Sequence, residues 1–144
     1  MAQGEWTYYP VSTLPAALDV VWCRFPEHLD LGKPGPKPRP GLVAETAILE
    51  GGEPVVHVIY GTSKLKAATR PLDFFVSNYQ DMHDAGLYQA TRFDMDTHLW
   101  LPWAEEFFSP ASAQYQNPAI GHLSANSLEL LGIIIKMRKD AGYR

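Results

Sequence analysis

The chain has 144 residues, 46% hydrophobic and 19% charged, which is enough for one domain with a real core. A formal net charge of −4 excludes a protein that coats nucleic acid without specificity, so any nucleic-acid contact has to be local. No run approaches the roughly 20 apolar residues of a membrane span, and the N-terminus lacks a basic region followed by an apolar block, so a cytoplasmic protein with no membrane contact is expected.

In chain order, Leu18 to Phe25 is a β-branched and aromatic run stopped by Pro26, the pattern of a strand. The single cysteine, Cys23, lies inside it, which excludes an internal disulfide and points to burial rather than catalysis. Pro26 to Pro40 holds five prolines and two glycines and is expected to be a long loop with no regular element. Gly41 to Ile48 and Val55 to Tyr60 are the next strands, joined across Gly51-Gly52 as a hairpin.

Leu72 to Val76, Ala90 to Asp94 and Leu99 to Trp103 are expected as three further strands, with Asn78 to Tyr88 a polar connection holding about one helical turn. Ser124 to Gly142 is the clearest helix. Asn126 and Glu129 fit a capping box, Leu128, Leu131, Ile134 and Ile135 an apolar stripe, and Lys136, Arg138 and Lys139 the negative end of the dipole. Several short strands and one terminal helix predict a single domain, mainly β with a C-terminal helix, built as a small, strongly bent barrel.

The functional signal lies at the strand ends. Prolines on either side hold Lys37 and Arg39 extended, with little backbone entropy left to lose on binding. An arginine fork matches a phosphate and stays charged at any working pH. Tyr60-Gly61-Thr62-Ser63 ends a neighbouring strand with two hydroxyls, and Lys33, Lys64, Lys66 and Arg70 add cations in the two loops, a set suited to binding RNA locally. Trp100, Trp103, Phe107, Phe108 and Tyr115 either stack bases, or close the bottom of the barrel or form a dimer interface, and burial statistics favour the latter pair of roles. No Cys/His spacing suits zinc and no glycine fingerprint suits a nucleotide, so neither metal nor cofactor is expected.

The succession Asp19-Val20-Val21-Trp22, Pro38-Arg39-Pro40-Gly41-Leu42-Val43, Val58-Ile59-Tyr60-Gly61-Thr62-Ser63 and Gly121-His122-Leu123-Ser124 resembles the MazF/PemK toxins of type II toxin-antitoxin modules. The resemblance runs from about Leu18 to Met137. It implies an SH3-like (CcdB/MazF-type) barrel, a homodimer, a cognate antitoxin, and metal-free cleavage of single-stranded RNA. It also implies catalytic roles for Arg39 and Thr62, with Ser63 as a helper. Cleavage by 2′-hydroxyl attack has protons to move, and His28 and His57 are the expected acid/base candidates among five histidines. Two other classes fit the sequence: a catalytically silent SH3-like binding module, and a toxin that poisons a protein such as DNA gyrase through its C-terminal helix.

Overall fold

Adjacent residues of a strand point to opposite faces, so an unbroken apolar run needs cover on both sides. Val20-Val21 and Leu42-Val43 are such runs, and each pair divides between two cores. The computed structural model describes residues 6–27, 30, 32–66, 72–110 and 118–143. Its strands are β1 (Asp19–Cys23), β2 (Arg39–Ile48), β3 (Pro54–Thr62), β4 (Phe74–Val76), β5 (Thr91–Pro102) and β6 (Ala119–His122). Its α-helices are α1 (Tyr79–Ala85) and α2 (Ala125–Asp140). The strands form one antiparallel sheet in the order β4-β5-β3-β2-β1-β6, curled into a half-barrel.

On one face Val20, Leu42, Ile59, Phe74 and Phe93 pack with Leu123 and with Leu131 of α2. On the other, Val21, Cys23, Val43, Val56 and Val58 are covered by Trp103, Phe107 and Phe108, all three fully buried. The aromatic segment after β5 is therefore core, packed against this face of the sheet. Tyr9 N–H donates to the Trp103 carbonyl at 3.0 Å, and Cys23 bridges to Phe108. Trp100 alone of the described aromatics in that group is exposed.

Several elements depart from the sequence expectation. β2 begins at Arg39, so Arg39 and Pro40 belong to a strand and not to the loop; Pro40 sits opposite Trp22. Gly61 and Thr62 likewise extend β3, opposite Phe93 and Arg92. The two strands expected at Ala90 and Leu99 are one strand with a bulge. Tyr60 pairs with Asp94 and Ile59 with His98, so one step along β3 spans four along β5. The polar Asp94-Met95-Asp96-Thr97 stretch reads as a turn, but Asp94 ties it into the strand by accepting from Asp96 N–H and Thr97 Oγ1, both at 3.0 Å.

β6 has no strong sequence pattern and exists because it completes the edge beside β1. α1 is longer than one turn and is capped by Asn78, whose Oδ1 accepts from Asp81 N–H at 2.9 Å. The α2 cap is Ser124, not Asn126: Ser124 Oγ accepts from Ser127 N–H at 3.0 Å, while Asn126 donates to Asp81. The buried side of α2 is Ser127, Leu131 and Arg138, which leaves Leu128 and Ile135 of the expected stripe exposed. Among the described residues, no helix is long and apolar enough to cross a membrane.

Candidate active groove

The proline loop is pinned to the end of β1. Gly35 N–H donates to the Arg24 carbonyl at 3.0 Å, and Arg24 Nη1 donates to the Pro36 carbonyl at 2.9 Å. At Gly35 a Cβ would stand 2.0 Å from the Phe25 carbonyl oxygen, so only glycine permits this approach. The loop thus delivers Lys37 and Arg39 to a fixed place, the mouth of a groove of about 640 Å³. Phe25 and Tyr60 lie against one another there, ring centres 5.3 Å apart, and the bulge of β5 contributes Asp94, Asp96, Thr97 and His98.

Arg39 also borders a smaller pocket of about 90 Å³, together with Trp22, Pro38, Ser63 and Tyr88. Arg39 and Ser63 are therefore brought together, as the sequence suggested. Thr62 is not with them: it is 3% exposed, lines neither cavity, and its Oγ1 accepts from Lys64 N–H at 3.1 Å. Burial of this hydroxyl follows from the extra length of β3, which draws Thr62 into the sheet and leaves Ser63 as the first residue outside. Lys33, Lys64 and Lys66 are exposed and line neither cavity, and Lys33 pairs with Asp30 at 3.6 Å. His28 and Arg70 lie outside the described residues.

The guanidiniums divide sharply. Arg24 holds the proline loop, Arg92 donates to Asp73 Oδ2 at 2.8 Å and to the Lys64 carbonyl at 2.9 Å, and Arg138 donates to Asp96 at 2.5 Å and to the Leu72 carbonyl at 3.0 Å. The Arg39 guanidinium has no hydrogen bond or ion pair among the described residues. It alone of these four arginines keeps its fork open to a ligand. Asp73, Asp94 and Asp96 bring carboxylate oxygens within 4.8 Å of one another, yet Arg92 and Arg138 already meet that charge.

His57 lies on β3, outside the groove lining. Its Nε2 is 2.8 Å from Nδ1 of His98, its ring stacks on Trp100 at 4.9 Å, and Glu45 Oε2 is 3.5 Å from its Nδ1. Among the described residues His98 is the histidine that reaches the groove, and sequence reasoning passed over it because only the β3–β5 register sets it beside His57. Cys23 is fully buried, and burial pushes its thiol well up, which removes it as a nucleophile.

No family model matches the chain, and no curated protein matches it.

Proposed function

We propose that the chain is a toxin-type endoribonuclease of the MazF/PemK kind, cutting single-stranded RNA by 2′-hydroxyl attack with the groove as its site. The observation that carries this reading is Arg39, an uncommitted guanidinium on a pinned strand end between two cavities. Charge grows on the phosphate oxygens as the 2′ oxygen attacks, and a positioned fork stabilises it most where water is partly excluded. Lys37 supports the same phosphate as a point charge, and Ser63 is the hydroxyl that can donate beside it. Thr62 shapes the turn that presents Ser63. Asp94, Asp96 and Glu27 also line the groove, so binding is confined to the Arg39 side and does not rest on net charge. As a toxin the protein would work as a homodimer in the cytoplasm and be held in check by a cognate antitoxin occupying this groove.

The test is incubation of the purified protein with a long single-stranded RNA in excess EDTA, beside Arg39→Ala, with the 5′ ends of products mapped. Discrete cuts that fall about 100-fold or more in the variant are expected, the usual cost of losing a transition-state donor. Intact RNA with folded wild-type protein would overturn the reading and favour a silent SH3-like binding module.

A second reading has its own observation. Leu130, Ile133 and Met137 form an exposed stripe on α2, as a toxin acting on a protein such as DNA gyrase would need. Ile133→Glu with Met137→Glu would then abolish growth inhibition, and the wild-type protein would leave RNA uncut in the EDTA assay.

A further inference from the structure

The Glu45, His57 and His98 side chains stand on three neighbouring strands, β2, β3 and β5, with Glu45 opposite His57 and His57 opposite Trp100. His57 Nε2 and His98 Nδ1 are 2.8 Å apart, a hydrogen-bond distance in which one ring must donate and the other accept. The other nitrogen of His57, Nδ1, is buried without a hydrogen-bond partner, and Glu45 Oε2 approaches it at 3.5 Å.

Glu45 decides the direction. Were Nδ1 of His57 the lone-pair nitrogen, it would face a carboxylate, lone pair to negative charge, in a half-buried place. With the proton on Nδ1 the contact is attractive, and His57 Nε2 becomes an acceptor. His98 must then donate from Nδ1, which leaves its Nε2 as a free lone pair on a side chain that lines the groove. Trp100, stacked on His57 with ring planes 13° apart, holds that ring against rotation.

We infer that His98 is the general base of the groove and that His57 and Glu45 are positioning residues that fix its tautomer; the inference rests on the endoribonuclease reading and supplies the proton acceptor that reading lacks. His98 Nε2 takes the proton of the 2′-hydroxyl as the 2′ oxygen bonds to phosphorus. The bond from phosphorus to the 5′ oxygen breaks with its electron pair on that oxygen, which takes a proton from a groove water. The hydroxide so formed recovers the proton from His98, leaving a 2′,3′-cyclic phosphate and a 5′-hydroxyl. The imidazolium formed in between is stabilised through His57 by the Glu45 carboxylate, an arrangement of base, orienting group and carboxylate known from hydrolytic triads. Arg39 and Lys37 share the groove with His98 and hold the phosphate without being able to accept a proton at working pH.

Long-range proton–nitrogen NMR of the uniformly labelled wild-type protein at about pH 8, above the ordinary imidazole range, reads the tautomers directly. The expected pattern is Nδ1–H for both His57 and His98, with Glu45→Gln mixing the two forms of His57. A dominant Nε2–H tautomer at His98 overturns the inference. In the EDTA cleavage assay, His98→Gln should lose about 100-fold or more in single-turnover rate, the scale of a general base, while RNA affinity changes far less because Arg39 and Lys37, not His98, hold the phosphate. His57→Gln and Glu45→Gln should lose about 10-fold, less than the loss of the base itself. Wild-type cleavage with His98→Gln equally active would overturn the base and leave the ribonuclease reading standing. Uncut RNA with wild-type protein would overturn the ribonuclease reading, and the assigned role with it, whatever the tautomers.

Discussion

The Ser124 hydroxyl donates to Asp81 Oδ1 at 2.6 Å while its oxygen accepts from Ser127 N–H at 3.0 Å, so one serine caps α2 and ties it to α1. Asp81, 4% exposed, also accepts from Asn78 at 2.5 Å and Asn126 at 2.8 Å. The hydrogen bond from Ser124, more than burial opposes it, holds its carboxyl below the ordinary value. A lowered folded-state value means that Asp81 adds stability above the ordinary carboxylate range and loses it as pH falls through the lowered value. Thermal unfolding from pH 7 to pH 2 should therefore fall more steeply for wild type than for Asp81→Asn. At neutral pH Asp81→Ala should cost about 1–3 kcal/mol, the scale of orphaned buried donors.

Arg138 anchors the far end of the same helix. The residue is 5% exposed, and its guanidinium is bonded to Asp96 and the Leu72 carbonyl. Arg138 is buried but the Asp96 side chain is 35% exposed and stays solvated without it, so Arg138→Ala should cost about 1–3 kcal/mol and lower the urea midpoint. Asp96→Asn with Arg138→Ala should cost less than the two changes added, as a double-mutant cycle in urea will measure.

Two aromatic residues three apart in sequence should behave in opposite ways. Trp103 is fully buried beneath Phe108 and donates from its indole to Thr13 at 3.1 Å, whereas Trp100 is 44% exposed. Trp103→Ala should cost about 3–5 kcal/mol in denaturant unfolding. Trp100→Ala should leave stability nearly unchanged and show itself in the mobility of the His57 ring by NMR.

Gly86 and Gly142 share a left-handed backbone, φ +72° and +83°, but not their surroundings. A Cβ at Gly86 would lie 2.0 Å from the Ile120 carbonyl oxygen, whereas at Gly142 nothing stands within 4 Å. Alanine at Gly142 should cost about 1 kcal/mol, the left-handed penalty alone. At Gly86 the same change also pushes α1 off β6, and the difference between the two melting temperatures measures that contact.

Much of the sheet was legible in the chain because strands speak locally. The Val20-Val21 and Val55 to Tyr60 runs, the Gly51-Gly52 hairpin and the terminal helix each carry their own pattern. β6 and the joining of two strands into β5 were not legible, since a four-residue edge strand and a bulge are stabilised by their neighbours rather than by propensity. The same holds for the α2 cap: Ser124 and Asn126 are both good caps, and the choice between them was made by Asp81, 43 positions from Ser124.

By itself, then, the sequence determined that Arg39 would be held extended and charged at a strand end, because the prolines beside it act on the bonds next to it. Only the tertiary structure decided that Arg39 stays uncommitted while Arg92 and Arg138 do not, since ion pairing depends on which carboxylates the sheet brings near. It likewise buried Thr62, exposed Ser63, and set His98 beside His57, because pairing register converts positions far apart in the chain into neighbours a hydrogen bond apart.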